Sequence, residues 1–159
     1  MLDHLNRFIK KIFIFIFLST MPFSVFAEEK NIDLIHTNWS FDGLFGTFNR
    51  ASLQRGYQVY QEVCSGCHSV QHLSYRNLYE KGGPEFSIEE AKVIASQFEL
   101  EDGPNSDGEM FTRPARLSDK FVKPYPNVKA SAAANGGAYP PDMSVLAKAR
   151  AGGADYIYS

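Results

Sequence analysis

Along the chain, apolar positions recur at helical spacing in short blocks, with irregular stretches between them. Leu53, Tyr57 and Tyr60 fall four and three apart, on one face of a helix that Asn49 can cap and that should run to about Val63. Ser87-Ile88-Glu89-Glu90 has the form of a capping box, in which the serine and the glutamate three residues on satisfy each other's free amides. Behind it Ile88, Ala91, Ile94, Ala95 and Phe98 make an apolar helical stripe. Asn127 should open an alanine-rich helix, Val128–Ala134, that Asn135-Gly136-Gly137 stops. A further helix is expected after Pro140-Pro141, from about Asp142 to Ala151, ended by Gly152-Gly153. Alternating runs of strand length are absent, so Glu28–Phe48, Leu100–Asp107 and Thr112–Pro126 read as loops. The pattern predicts a mainly α fold, small and rich in loops.

The N-terminus changes the compartment. Arg7, Lys10 and Lys11 form a basic region, Ile12–Leu18 an apolar one, and the stretch ending at Ala27 offers the small side chains of a cleavage site. Residues 1–27 thus read as an export signal, with an uncleaved membrane anchor as the alternative. The apolar run is broken by Ser19, Thr20, Pro22 and Ser24 and is short beside the ~20 residues that span a bilayer. The remaining segment, 28–159, is one small domain. Losing the signal removes three of 16 basic and one of 18 acidic residues, which takes the net charge from −2 to −4. That balance argues against nucleic acid, whose affinity rests on neutralising phosphates. Glu99, Glu101, Asp102, Asp107 and Glu109 crowd together; a solvated loop is the simpler account, a docking patch for a basic partner the other.

A domain this small and this irregular has little apolar surface to bury and needs something more at its centre. The only two cysteines, Cys64 and Cys67, are too close together to staple it, and His68 follows directly. Three chemistries use Cys-x-x-Cys. A redox dithiol wants a strand–turn–helix setting with the pair at a helix N-terminus, whereas here the pair follows a helix. Zinc wants four ligands, and Cys64, Cys67, His68 and His72 offer them only superficially, since Cys67 and His68 are adjacent with no chain between to wrap the ion. Covalent haem c has Cys-x-x-Cys-His as its signature, and it fits: two thiols on one helical turn add to the porphyrin vinyl groups, and the next imidazole swings beneath the ring as the iron ligand. Export and haem attachment support each other, and one haem c is expected on Cys64, Cys67 and His68. His72 reads as a surface or packing histidine, and nothing around His36 favours ligation. For the other axial position the mature segment holds only Met110 and Met143, and a methionine more often fills a core gap.

With these residues in view, the chain resembles the cytochrome c1 family, the haem subunit of the quinol–cytochrome c reductase (cytochrome bc1 complex), in its alphaproteobacterial or mitochondrial form. The resemblance is carried by Trp39–Val70, Leu73–Leu78, Arg113–Asn127 and Ala132–Ser159, in order and at family spacing. It implies a c-type cytochrome-like helical domain around a covalent haem. It also implies that Cys64 and Cys67 are the thioether cysteines, His68 the proximal ligand and metal site, Asn135, Ala138, Pro140 and Pro141 haem-lining residues, and Arg150 and Tyr156 neighbours of the propionates. An Arg fork suits a carboxylate, and Arg150 would equally complement a helix C-terminus. The implied function is electron transfer from the Rieske iron–sulfur protein to a soluble c-type cytochrome, beside cytochrome b, at the periplasmic face of the bacterial inner membrane; no substrate bond is broken at this subunit. The family carries leucine at the position of Met143, which argues against that residue as ligand. The family's methionine ligand and C-terminal membrane anchor lie beyond the segment ending at Ser159, so the chain is expected to be C-terminally incomplete. An exported haem protein with an open axial site, peroxidase-like or gas-binding, is the alternative.

Overall fold

Asn49 opens the first helix as expected: its side chain accepts from the Ser52 amide at 3.0 Å, and helix α1 runs Arg50–Val59. The structure, a computed structural model, describes residues 33–159, of which Leu34–Ser159 form one unit; the expected export signal lies outside the described residues. Beyond Val59 the helix does not continue as α. Tyr60–Cys64 form a π turn, in which the Ser65 amide reaches back five residues to the Tyr60 carbonyl at 2.8 Å. The cysteine–histidine loop follows, held by amides of Cys67 and His68 that both donate to the Cys64 carbonyl.

The buried cluster lies behind that loop. A 3₁₀ turn, Tyr75–Leu78, is boxed by Ser74 and Asn77 and drives Tyr75 to full burial. The Tyr75 ring packs on Phe121 at 4.5 Å and on Phe98 at 5.6 Å between centroids. Helix α2 (Ile88–Ser96), with the expected Ser87–Glu90 capping box, presents Ala91 and Ala95 to this turn, and both are fully buried. Val70, Leu78 and Ala115 complete the cluster, with Ile94 and Phe98 packed against it. Ile88 departs from the expected stripe: it sits in the first turn of α2 and is half exposed.

A second departure is an antiparallel hairpin in what read as loop. Strand β1 (Glu99–Asp102) pairs with β2 (Phe111–Pro114), Glu99 opposite Pro114 and Asp102 opposite Phe111. Four residues per strand are too few to show alternation, and the pairing rests on the backbone and on one side chain. Arg113 binds Asp102 on the facing strand and grips Asp119 with two bonds of 2.6 and 3.1 Å. Part of the acidic segment is thereby neutralised within the fold.

Helix α3 covers Val128–Ala134, as expected, with Asn127 accepting from the Ala130 amide at 2.9 Å. Asn135 closes it, and Gly136 and Gly137 follow at φ 64° and 92°, which glycine adopts without strain. The next helix is far shorter than expected: α4 is only Leu146–Ala149, not Asp142–Ala151. Residues 140–144 instead lie against residues 69–71, where the Met143 amide donates to the Ser69 carbonyl at 2.8 Å. A short helix α5 (Ala154–Tyr158) ends the described residues, and none of their helices is long and apolar enough to cross a membrane.

Candidate functional site

Cys64 closes the π turn and Cys67 lies three residues on in the loop, and both thiols are free. The pair therefore sits at the C-terminal end of a helix, opposite to the N-terminal setting a redox dithiol uses. Among the described residues no three His, Cys, Asp or Glu side chains converge as a zinc cage requires.

His68 is fixed from a distant part of the chain. Its Nδ1 lies 2.8 Å from the Pro141 carbonyl, which can only accept, so Nδ1 is the donor, and the neutral ring then has its lone pair on Nε2. That is how a metal-bound imidazole is normally oriented by its second hydrogen bond. Tyr60 steadies the same residue by donating its hydroxyl to the His68 carbonyl at 3.2 Å. Burial pushes the Tyr60 hydroxyl up to about 12, so it is protonated and can donate at neutral pH.

Asp142 ties the two segments together just beyond. It accepts from the Ser69 hydroxyl at 2.7 Å, the Gln71 amide at 2.8 Å and the Ser144 amide at 2.9 Å. Burial opposes its ionisation, but these bonds outweigh burial and bring the carboxyl from 3.8 to about 2. Neither Tyr60 nor Asp142 stood out in the sequence as part of the site. Tyr60 read as one position of a helical stripe, and Asp142 as the start of a helix.

The other expected residues fall in three groups. Pro140 lines a cleft that Cys67 also lines, together with Tyr125, Ser131 and Tyr139. Asn135 and Ala138 occupy the turn after α3, the Asn135 side-chain amide donating to the Ser131 carbonyl at 2.8 Å and the Ala138 amide to the Asn135 carbonyl at 3.2 Å. Arg150 lies over the ring of Tyr156, 5.6 Å from its centroid. Among the described residues, no hydrogen bond or ion pair joins these two to the Cys64–His68 loop. Met143 packs against the buried cluster, and Met110 is exposed on the hairpin side of the chain. His72 is exposed, used through its backbone, and His36 bonds Asp155.

Two free thiols on one turn and an imidazole with its Nε2 lone pair available form a donor set that suits a porphyrin bound through two vinyl groups and its iron. A mainly helical, loop-rich fold with that donor set is of the c-type cytochrome class. The family model described as the Cytochrome C1 family matches residues 39–159. The mitochondrial heme protein cytochrome c1-2 of Solanum tuberosum is 50% identical over 121 residues, covering 76% of this chain and 45% of the relative. Cytochrome c1 of Rhodospirillum rubrum is 49% identical over 133 residues, covering 84% of this chain and 48% of the relative. The mitochondrial cytochrome b-c1 complex catalytic subunit of Candida albicans is 48% identical over 133 residues, covering 84% and 45%. The chain belongs to the cytochrome c1 family and spans about half the length of these relatives. Relatives so named give the open-site alternative no support.

Proposed function

We propose that this chain carries one covalent haem c and serves as the electron-transfer haem domain of a quinol–cytochrome c reductase. Cys64 and Cys67 would hold it through thioethers, and His68 Nε2 would ligate its iron. The bound haem supplies one-electron chemistry. The chain's own residues hold and tune it: Pro141 fixes the imidazole tautomer, Asp142 and Tyr60 hold the loop that bears it, and Asn135, Ala138 and Pro140 line the group. Arg150 and Tyr156 would serve the propionates. The electron comes from the Rieske iron–sulfur protein and leaves to a soluble c-type cytochrome, with cytochrome b as the membrane neighbour. The domain is exported and works at the periplasmic face of the inner membrane.

The observation that carries this reading is the 2.8 Å bond from His68 Nδ1 to Pro141, next to two unpaired thiols. Its test is the pyridine haemochrome spectrum of protein exported from a host with cytochrome c maturation machinery. The parent should show a haem that acid–organic extraction cannot remove, and Cys64→Ala/Cys67→Ala should show none. A parent that emerges colourless overturns the reading.

A further inference from the structure

Residues 68–72 and 141–144 are stitched side by side. His68 Nδ1 donates to the Pro141 carbonyl and the Met143 amide to the Ser69 carbonyl, both at 2.8 Å, and the His72 amide donates to the Ser144 hydroxyl at 3.0 Å. The Asp142 carboxylate lies inside this seam. Its Oδ2 accepts from the Ser69 hydroxyl and the Gln71 amide, and its Oδ1 from the Ser144 amide. Ser69 is buried and follows His68 in the chain, while Asp142 itself follows Pro141. The carboxylate is thus tied to the residue next to the imidazole and adjoins the residue that accepts its proton.

No cation meets this charge. Among the described residues Asp142 forms no ion pair, whereas Asp102 and Asp119 share Arg113 and Asp155 meets His36. Burial opposes its ionisation, and neutral hydroxyl and amide donors hold it charged at neutral pH without cancelling the charge. The charge reaches across the site. After burial, Asp142 is the strongest influence raising the Tyr60 hydroxyl, the group that bonds the His68 carbonyl at 3.2 Å. A part-buried carboxylate without a counter-ion is unfavourable by itself, and a positive charge placed next to His68 would relieve it.

We propose that Asp142 is an electrostatic tuning residue for the iron ligand: its fixed negative charge, held against the His68–Pro141 pair, favours ferric over ferrous iron and lowers the reduction potential. The inference rests on the function proposed above and adds to it. Asp142 acts through His68, as a positioning residue whose charge counts as well as its bonds. The ferric state carries one more positive charge than the ferrous, and a nearby carboxylate stabilises that state the more.

The test is redox titration of the haem-loaded protein at pH 7. Asp142→Asn keeps the shape of the side chain and one acceptor but sheds the charge. At a fixed poise it should raise the ferrous-to-ferric ratio roughly tenfold, the scale of one partly screened charge acting on another inside a protein. For one electron that is an upward shift of about 59 mV in the midpoint. Ser144→Ala separates charge from stitching: it cuts the His72 bond, leaves the Ser144 amide on the carboxylate, and should keep the parent's potential. A red parent whose potential Asp142→Asn leaves in place or lowers overturns the inference. So does an equal rise in Ser144→Ala, which assigns the effect to the seam and not to the charge. Both results leave the haem assignment intact, whereas a colourless parent removes the function on which the inference rests. Should Asp142→Asn fail to accumulate, Asp142→Ser sheds the same charge and carries the same expectation and the same refutation.

Discussion

Asp142→Asn is the change whose effect can be worked furthest from the structure. The carboxylate joins two segments about seventy residues apart, Ser69–Gln71 beside the imidazole and residues 142–144 beside its anchor. Its protonation falls from 3.8 to about 2 on folding. At about 1.4 kcal/mol per tenfold change in proton affinity, that corresponds to about 2–3 kcal/mol. The group is part-exposed and water screens some of the interaction, which leaves about 1–2 kcal/mol of folding stability. The folded value is depressed, so the contribution is complete above about pH 4 and is lost as the pH falls toward 2. Asparagine keeps one acceptor and sheds the charge. Denaturant titrations of the haem-loaded parent and variant at several pH values provide the assay. The variant should be less stable by about 1–2 kcal/mol at pH 7, and the gap should close between about pH 4 and 2. Equal midpoints at pH 7, or a gap indifferent to acid, would refute the role given to this carboxylate.

Two other substitutions test the scaffold. Asn49→Ala removes the cap that opens α1 and should cost about 1 kcal/mol in thermal or chemical unfolding; an unchanged midpoint would deny the cap any weight. Tyr75→Phe removes a buried hydroxyl that, among the described residues, has no partner in good hydrogen-bond geometry, the Val122 backbone being its polar neighbour, and should leave stability equal or higher, so a loss beyond about 1 kcal/mol would count against this picture of the core.

What could be read from the sequence was whatever is local. Asn49, Ser87 and Asn127 each bond an amide three residues on, so capping was visible in a four-residue window, and α3 has the expected bounds. The cysteine–histidine motif is equally local. The helix expected over residues 142–151 failed because Asp142 and Met143 bond instead to Ser69 and Gln71, partners no window could contain. The hairpin failed for a related reason: Glu99–Asp102 is mostly acidic, and Arg113 draws its neutralising partners from both Asp102 and Asp119. Pro141, Arg150 and Tyr156 entered as candidate site residues through family resemblance alone. Nothing in their own surroundings announces that a carbonyl 73 residues away will orient the imidazole.

The π turn shows how local and distant constraints are reconciled. Upstream, Tyr57 packs on Phe86 and Phe121 and Tyr60 packs on Phe121, so the orientation of α1 is fixed by the core. Downstream, His68 must meet Pro141. In an uninterrupted α-helix each residue turns the chain by roughly 100°, so one residue more or fewer before the loop would swing the imidazole to another side. Tyr60–Cys64 takes up the mismatch by closing its bond over five residues rather than four, and the Ser65 hydroxyl, bonded to the Gln61 carbonyl at 2.7 Å, occupies the acceptor that the wider turn releases. The irregularity thus lies where two fixed points, the aromatic core and the histidine's anchor, require different phases of the same helix.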